Sequence, residues 1–297
     1  MNRLSIEQRA RVIAALIDGN SVRATCRITG AAKGTVLTLV RDLGEACWAY
    51  QFAKHVNLPC ERIQVDEIWS FVGAKEKNTV PDKKLEGWGD AWTWVAIDAD
   101  TKFVPCWMIA PRHALTAMEF MRDLASRMAG RIQLTTDGAV VYESAVAQAF
   151  GEANIDYARL RKIYGIPEGA PVSGWGKYSP AGLIGIEVES VFGNPHPKHI
   201  NTSYVERTNL TMRMCMRRFT RLTNGFSKKL ANHMNAVALH FMAYNYVKPM
   251  STLTKRAKGI HTTPAMAAGL TDRVWTCEDI ARLLEPSVLA EVRRRAS

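Results

Sequence analysis

Between Pro59 and Ile163 the chain switches repeatedly between a two-residue and a helical hydrophobic period, and this alternation restricts its fold more than any other feature. Ile63, Val65, Trp69 and Phe71 alternate with Gln64, Asp66 and Ser70, a strand pattern bounded by Pro59 and Gly73 that places Asp66 inside a strand. Residues 92–97 read as a second strand, Asp98-Ala99-Asp100-Thr101 as a turn, and 103–110 as a third strand, in antiparallel meander order. Leu115, Met118, Phe120, Met121, Leu124 and Met128 then recur at helical spacing up to Gly130. Ile132, Leu134 and Thr136 alternate up to Asp137-Gly138, so a fourth strand ends in an acid. A helix through Ala145, Val146 and Phe150 and a fifth strand over 157–163 complete the run. Strands alternating with helices predict an α/β (α+β) domain, a mixed sheet flanked by helices.

Downstream, residues 165–197 hold seven Gly and five Pro, which predicts a loop or insertion outside the core. Residues 204–219 lack both and read as a helix with Glu206 in its first turns. Glu206 and Arg213 are two turns apart on one face, with Asn209 and Leu210 between them. A further helix carries Leu230, Met234, Val237, Phe241 and Tyr244 and ends before Pro249. The tail from Thr263-Pro264 through Leu284 reads as helical, packed around Trp275.

Charge adds a partner to this outline. From Lys198 to Lys258 there are twelve Lys or Arg and one acid, Glu206, so the segment accounts for the whole formal excess of +11. A solvated face would explain a short basic run. An imbalance of this length, rich in Arg around Arg213, Arg217, Arg218 and Arg221, suits a surface that follows phosphates.

At the amino terminus Ser5-Ile6-Glu7-Gln8 forms a capping box, followed by Val12, Ile13, Leu16 and Ile17 at helical spacing and a stop at Asp18-Gly19-Asn20. A second helix starts at Ser21 and breaks at Thr29-Gly30. A third begins near Ala31, with Val36, Leu37, Leu39, Val40 and Leu43 on a core face, and extends toward Asn57-Leu58-Pro59. Two short helices joined by a Gly-containing turn predict a helix-turn-helix, whose second member enters the major groove. Lys33, Thr35 and Thr38 then face bases or phosphates, with Arg23, Arg27 and Arg41 flanking the backbone. A small helical packing unit is the alternative. The expected organisation is a helix-turn-helix over 1–57, a catalytic domain over 58–250 with the Gly/Pro-rich insertion 165–197, and a helical tail over 251–297.

Several function classes fall away. The longest stretch without Asp, Glu, Lys or Arg, 230–247, contains Asn232, His233, Asn235, His240 and Asn245, too polar for a bilayer span. No secretory signal is visible, and six scattered cysteines form no C-x-x-C pair, so reduced thiols and a cytoplasmic location are expected. No P-loop is present, so no nucleotide cofactor is expected. Asp98 and Asp100 read as turn chemistry, Trp88, Trp92 and Trp94 as packing more than base stacking, Met212, Met214 and Met216 as packing, and His196 and His199 as loop residues facing solvent or DNA.

Asp66 and Asp137 on two strands and Glu206 on a helix form a set that can hold a pair of divalent metals about 4 Å apart for phosphodiester chemistry, and Mg²⁺ suits such oxygen ligands. The stretches VDEIWSFVG (65–73), WTWVAIDADTKF (92–103), TTDGAVVY (135–142), YVERTNLTMRM (204–214) and TPAMAAGLTDRVW (263–275) resemble insertion-sequence transposases of the DDE superfamily. The similarity is to the insertion-sequence-one family in its long, single-chain variety with an N-terminal helix-turn-helix, and YVERxNxxxR carries its most specific part. The resemblance implies a ribonuclease-H-like fold and Mg²⁺ (or Mn²⁺) dependence. It also implies recognition of terminal inverted repeats, 3′-end cleavage followed by strand transfer, and a homo-oligomer on double-stranded DNA. It assigns Asp66, Asp137 and Glu206 as the acids and Arg213 as a DNA contact, with Arg207, Arg217 and Arg218 beside it on the basic segment. Sixty-eight residues separate Asp137 from Glu206, more than is usual in the family, which leaves Glu187 and Glu189 as weaker choices for the third acid. The competing functions are a Mg²⁺-dependent structure-specific nuclease or resolvase on the same fold and a catalytically inactive DNA-binding regulator.

Overall fold

The computed structural model describes residues 4–165, 182–220, 223–288 and 290. Three helices open the chain: α1 (Ile6–Ile17), α2 (Val22–Thr29) and α3 (Lys33–Lys54). The Ser5/Gln8 capping box starts α1, Ser21 caps α2, and Gly30 in the left-handed region ends α2. Then follow β1 (Arg62–Val72), α4 (Pro81–Leu85), β2 (Gly89–Asp98), β3 (Trp107–Ala110), α5 (Ala114–Arg127), β4 (Gln133–Asp137), α6 (Val141–Phe150), β5 (Asp156–Gly165) and β6 (Gly182–Phe192). The remainder is helical: α7 (Ser203–Cys215), α8 (Leu230–Tyr246), α9 (Ser251–Arg256), α10 (Pro264–Ala267) and α11 (Cys277–Arg282).

Among the described residues the strands form one mixed sheet in the order β3-β2-β1-β4-β5-β6. The first three are antiparallel, β4 and β5 run parallel to β1, and β6 returns antiparallel. A meander followed by two parallel strands, with helices on both faces, is the ribonuclease-H-like arrangement. On one face Val65, Trp94 and Ala96 join Phe120 of α5 and Tyr142 of α6, in a buried cluster that also takes in Val12, Leu43 and Met242. On the other, Ile68, Val95 and Ile97 pack against Val205 and Met212 of α7 and Val237 and Phe241 of α8. The alternation of β1 therefore points Asp66 toward α7 and Glu67 toward α6.

α3 lies close along α8. A Cβ at Gly44 would sit 2.3 Å from Asn235 Cβ, so glycine is what permits the approach. Gln51 reinforces the contact by donating to Ala238 O at 3.0 Å and accepting from Trp107 Nε1 at 3.0 Å.

Three expectations are corrected. The third strand is only Trp107–Ala110, because the buried Val104 satisfies its N–H and C=O on the Asn245 side-chain amide instead of on a strand. The Gly/Pro-rich 165–197 contains the eleven-residue β6, laddered antiparallel to β5, with Arg161–Glu187 and Arg159–Glu189 ion pairs across the two strands at 2.7 and 2.8 Å. Residues 166–181 of that segment lie outside the described residues. In the tail, α10 and α11 are short helices separated by turns around Gly269 and Trp275. Asp98 does serve its turn, accepting from Thr101 N and Oγ1 at 2.9 and 2.6 Å. Trp94 is fully buried, and no helix among the described residues is long and apolar enough to cross a membrane.

Candidate active site

The site forms where β4 stops and β1 continues. Val65 pairs with Thr136, the last rung of that parallel ladder, so the next residues, Asp66 and Asp137, stand side by side at its end. Among the described residues the β1–β4 ladder ends there while β1 runs on to Val72, and carboxylates from both faces of β1 meet at the end of β4. Asp66, Glu67 and Asp137 each place a carboxylate oxygen within 4.8 Å of the others, a cluster that could hold a metal ion.

Gln64 ties α7 to β1 on the same face as Asp66. Its Oε1 accepts from the backbone N–H of Tyr204 and Val205 at 2.9 and 3.1 Å, answering two donors that the helix start leaves open, and its Nε2 donates to Asn201 Oδ1 at 2.7 Å. Two residues along the strand, Asp66 Oδ2 accepts from Asn209 Nδ2 of α7 at 2.9 Å, and Asp66 Oδ1 accepts from Glu67 N at 2.8 Å. Asn209 Oδ1 is buried and accepts no hydrogen bond among the described residues. Glu206, in the first turn of α7, accepts from Thr202 Oγ1 at 2.6 Å and from Lys162 Nζ of β5 on both oxygens at 2.5 Å. A carboxylate there also meets the favourable end of the helix dipole.

Asp66, Asp137 and Glu206 line a single cleft of about 700 Å³, with Arg112, Lys162 and Arg213 on its walls. The three sequence-assigned acids thus line one cleft, while the close carboxylate group among the described residues is Asp66, Glu67 and Asp137, with Glu206 outside it and paired with Lys162. Glu187 and Glu189 do not join them: both are exposed on β6, paired with Arg161 and Arg159. Gly138, directly after Asp137, lets β5 approach, since a Cβ there would lie 2.9 Å from Arg161 Cβ.

Burial first, then the like charges of Glu67 and Asp137, raises the Asp66 carboxyl to about 7, although hydrogen bonds from Glu67 N and Asn209 oppose the shift. Burial also raises Glu67, whose Oε1 accepts from Tyr142 Oη at 2.5 Å. Arg112, over the Trp92 ring, lies 3.4 Å from both Glu67 Oε2 and Asp137 Oδ2 and bridges the two. Crowded carboxylates of this kind gain from a shared divalent cation, and an all-oxygen donor set is what Mg²⁺ or Mn²⁺ takes. The residues present therefore fit such an ion.

Nothing in the sequence alone singles out Glu67, Tyr142, Arg112 or Lys162 for a role. Only Asn209, three residues after Glu206 on one helix face, had a readable signal. Of the residues assigned to DNA, Arg23 and Arg27 on α2 and Lys33, Thr35, Thr38 and Arg41 on the first half of α3 are exposed, and Arg41 pairs with Asp42 at 2.8 Å. Arg207 and Arg217 are exposed and Arg213 is half-buried in the cleft wall. Arg218 is placed differently: Nη1 donates to Ser227 Oγ and Asn232 O, both at 2.9 Å, and burial lowers the group to about 10. His199 lies 2.6 Å from the Arg62 guanidinium and against His196.

The fold and the site thus define a ribonuclease-H-like chain with an acidic cleft at the end of its central strands. No protein-family model matches the chain, and no curated protein matches it. Among solved structures it is similar to a piggyBac transposase in a synaptic complex with hairpin DNA, at 10% identity and a TM-score of 0.45, over 97% of this chain and 71% of that one.

Proposed function

We propose that the chain is a DDE-type DNA transposase that binds the terminal inverted repeats of its element, cleaves the 3′ ends and joins them to target DNA. The observation that carries this reading is the convergence of Asp66, Asp137 and Glu206, from three separate elements, on one cleft. Basic and polar residues of α2 and α3 form the helix-turn-helix within 1–57 that finds the element end, the catalytic domain follows over 58–250, and residues 251–297 form the tail. Two ends must be handled together, so the active form is a homo-oligomer on DNA.

In this mechanism Asp66, Asp137 and Glu206 would hold Mg²⁺, or Mn²⁺ in its place, with Glu67 beside the two aspartates. Bound there, the ion supplies Lewis-acid chemistry at a phosphodiester. Asn209 fixes the Asp66 carboxylate, Gln64 fixes α7 and with it Glu206, and Arg213 holds the DNA backbone against the cleft. Water opens the phosphodiester at the element boundary in line, and the released 3′-hydroxyl then attacks target DNA in a second in-line displacement. The test supplies purified protein with Mg²⁺, a pre-cut element end and a circular target. Covalent joining of end to target is expected. Nicking without joining would replace the reading with a nuclease or resolvase, and end binding with neither would replace it with a regulator.

The basic residues of α7 and its following turn separate by role. Arg207→Ala weakens DNA binding and reduces its salt slope by about one, with thermal stability unchanged. Arg218→Ala leaves the salt slope as it is and destabilises the fold by roughly 2–3 kcal/mol, because Ser227 and Asn232 lose a charged donor. Fluorescence anisotropy across a salt series, paired with urea unfolding, reads both; a reduced salt slope in the Arg218 variant would reverse that assignment.

A further inference from the structure

We propose that Lys162 is a cation-gated phosphate ligand: it holds Glu206 in the metal-free site and passes to the DNA backbone when a divalent ion takes that carboxylate. The inference rests on the metal- and DNA-binding reading of the cleft. Lys162 lies on β5, two residues beyond Leu160, which pairs with Asp137, so it projects from the same sheet face as that rung. Its ammonium contacts both oxygens of Glu206 at 2.5 Å, and Thr202 Oγ1 adds a third contact at 2.6 Å. Coordination of an ion by Glu206 must therefore displace an internal cation.

The exchange is accessible. The side chains of Lys162 and Glu206 are 23% and 42% exposed, and an ion pair of that exposure contributes about 1 kcal/mol or less. An ammonium on a four-carbon stem also re-aims more readily than a planar guanidinium. Once the cleft carboxylates are neutralised, the anion left within its chemistry is a backbone phosphate of the substrate. Metal and DNA then favour each other's binding, and by linkage the coupling is reciprocal. Arg112 differs because it is divided between Glu67 and Asp137 at 3.4 Å and is stacked over Trp92.

The test uses the full-length protein with two probes: Mn²⁺ alone, followed by electron paramagnetic resonance, and a fluorescein-labelled duplex, followed by anisotropy with Ca²⁺ or with EDTA. Lys162→Met should bind Mn²⁺ roughly three- to fivefold more tightly than wild type without DNA, and the gain should vanish in a Glu206→Gln background. Ca²⁺ should tighten duplex binding by wild type and by Lys162→Arg, and fail to do so for Lys162→Met. Mn²⁺ binding by wild type with an equal or weaker affinity in Lys162→Met would overturn the inference and leave the metal reading standing. So would a Ca²⁺ effect that survives in Lys162→Met. No Mn²⁺ binding by wild type would overturn both.

Discussion

Asp66→Asn is expected to abolish strand cleavage and, in the same molecule, to make the metal-free protein more stable at pH 8. Asp66 titrates at about 7 in the fold against an ordinary 3.8, chiefly because it is buried and stands beside Glu67 and Asp137. Between those values the folded chain keeps a proton that the unfolded chain has released. Stability of the metal-free protein therefore falls as pH rises from about 4 to about 7 and stays low above it. The shift corresponds to ~4 kcal/mol at most, an upper figure for a coupled carboxylate. Asn carries no charge to bury. It can accept from Glu67 N and, after a flip of the Asn209 amide, donate to the Asn209 Oδ1 that now lacks a donor. A gain of roughly 2–4 kcal/mol at pH 8 is expected, shrinking toward pH 5. Urea unfolding in EDTA at the two pH values measures it, and equal stability of variant and wild type at pH 8 would contradict this picture of the site.

The second large effect is the mirror of the first. Mg²⁺ should raise the unfolding midpoint of wild type at pH 8, because an ion that binds the fold and not the unfolded chain adds about 2.7 kcal/mol at a hundredfold excess over its dissociation constant. The ion competes with the Asp66 proton, so the effect should shrink below pH 7 and be absent in Asp66→Asn and Asp137→Asn. Thermal unfolding in Mg²⁺, against K⁺ at matched ionic strength, separates this from salt screening. An equal rise in the Asp66 variant would place the ion elsewhere.

Much of this was legible from local pattern. β1, β2, β4 and α8 follow from hydrophobic periods, and Asp66 and Asp137 follow from where their strands lie. Glu206 and Asn209 share a helix face, which a single sequence displays directly. What stayed hidden depends on contacts between distant elements. Glu67 alternates away from Asp66 along β1, and joins the cluster at the point where the β1–β4 ladder ends, which no single segment displays. Lys162 is two strands removed from β1, and nothing local links it to α7. β6 was obscured by Gly182 and Gly185, while its strand character comes from the antiparallel backbone ladder with β5, a contact between segments that no local pattern displays. Val104 looked like strand because it is buried, yet its backbone is satisfied by Asn245, 141 residues away.

The central claim is that Asp66, Asp137 and Glu206 act together in one phosphodiester-transfer site, and single-turnover 3′-end cleavage with Mg²⁺ tests it most directly. Asp66→Asn, Asp137→Asn and Glu206→Gln should each fall by about 10³-fold or more with duplex binding retained, while Glu187→Gln, whose partner is the exposed Arg161, should cleave like wild type. Cleavage that survives Glu206→Gln and is lost in Glu187→Gln would contradict the account.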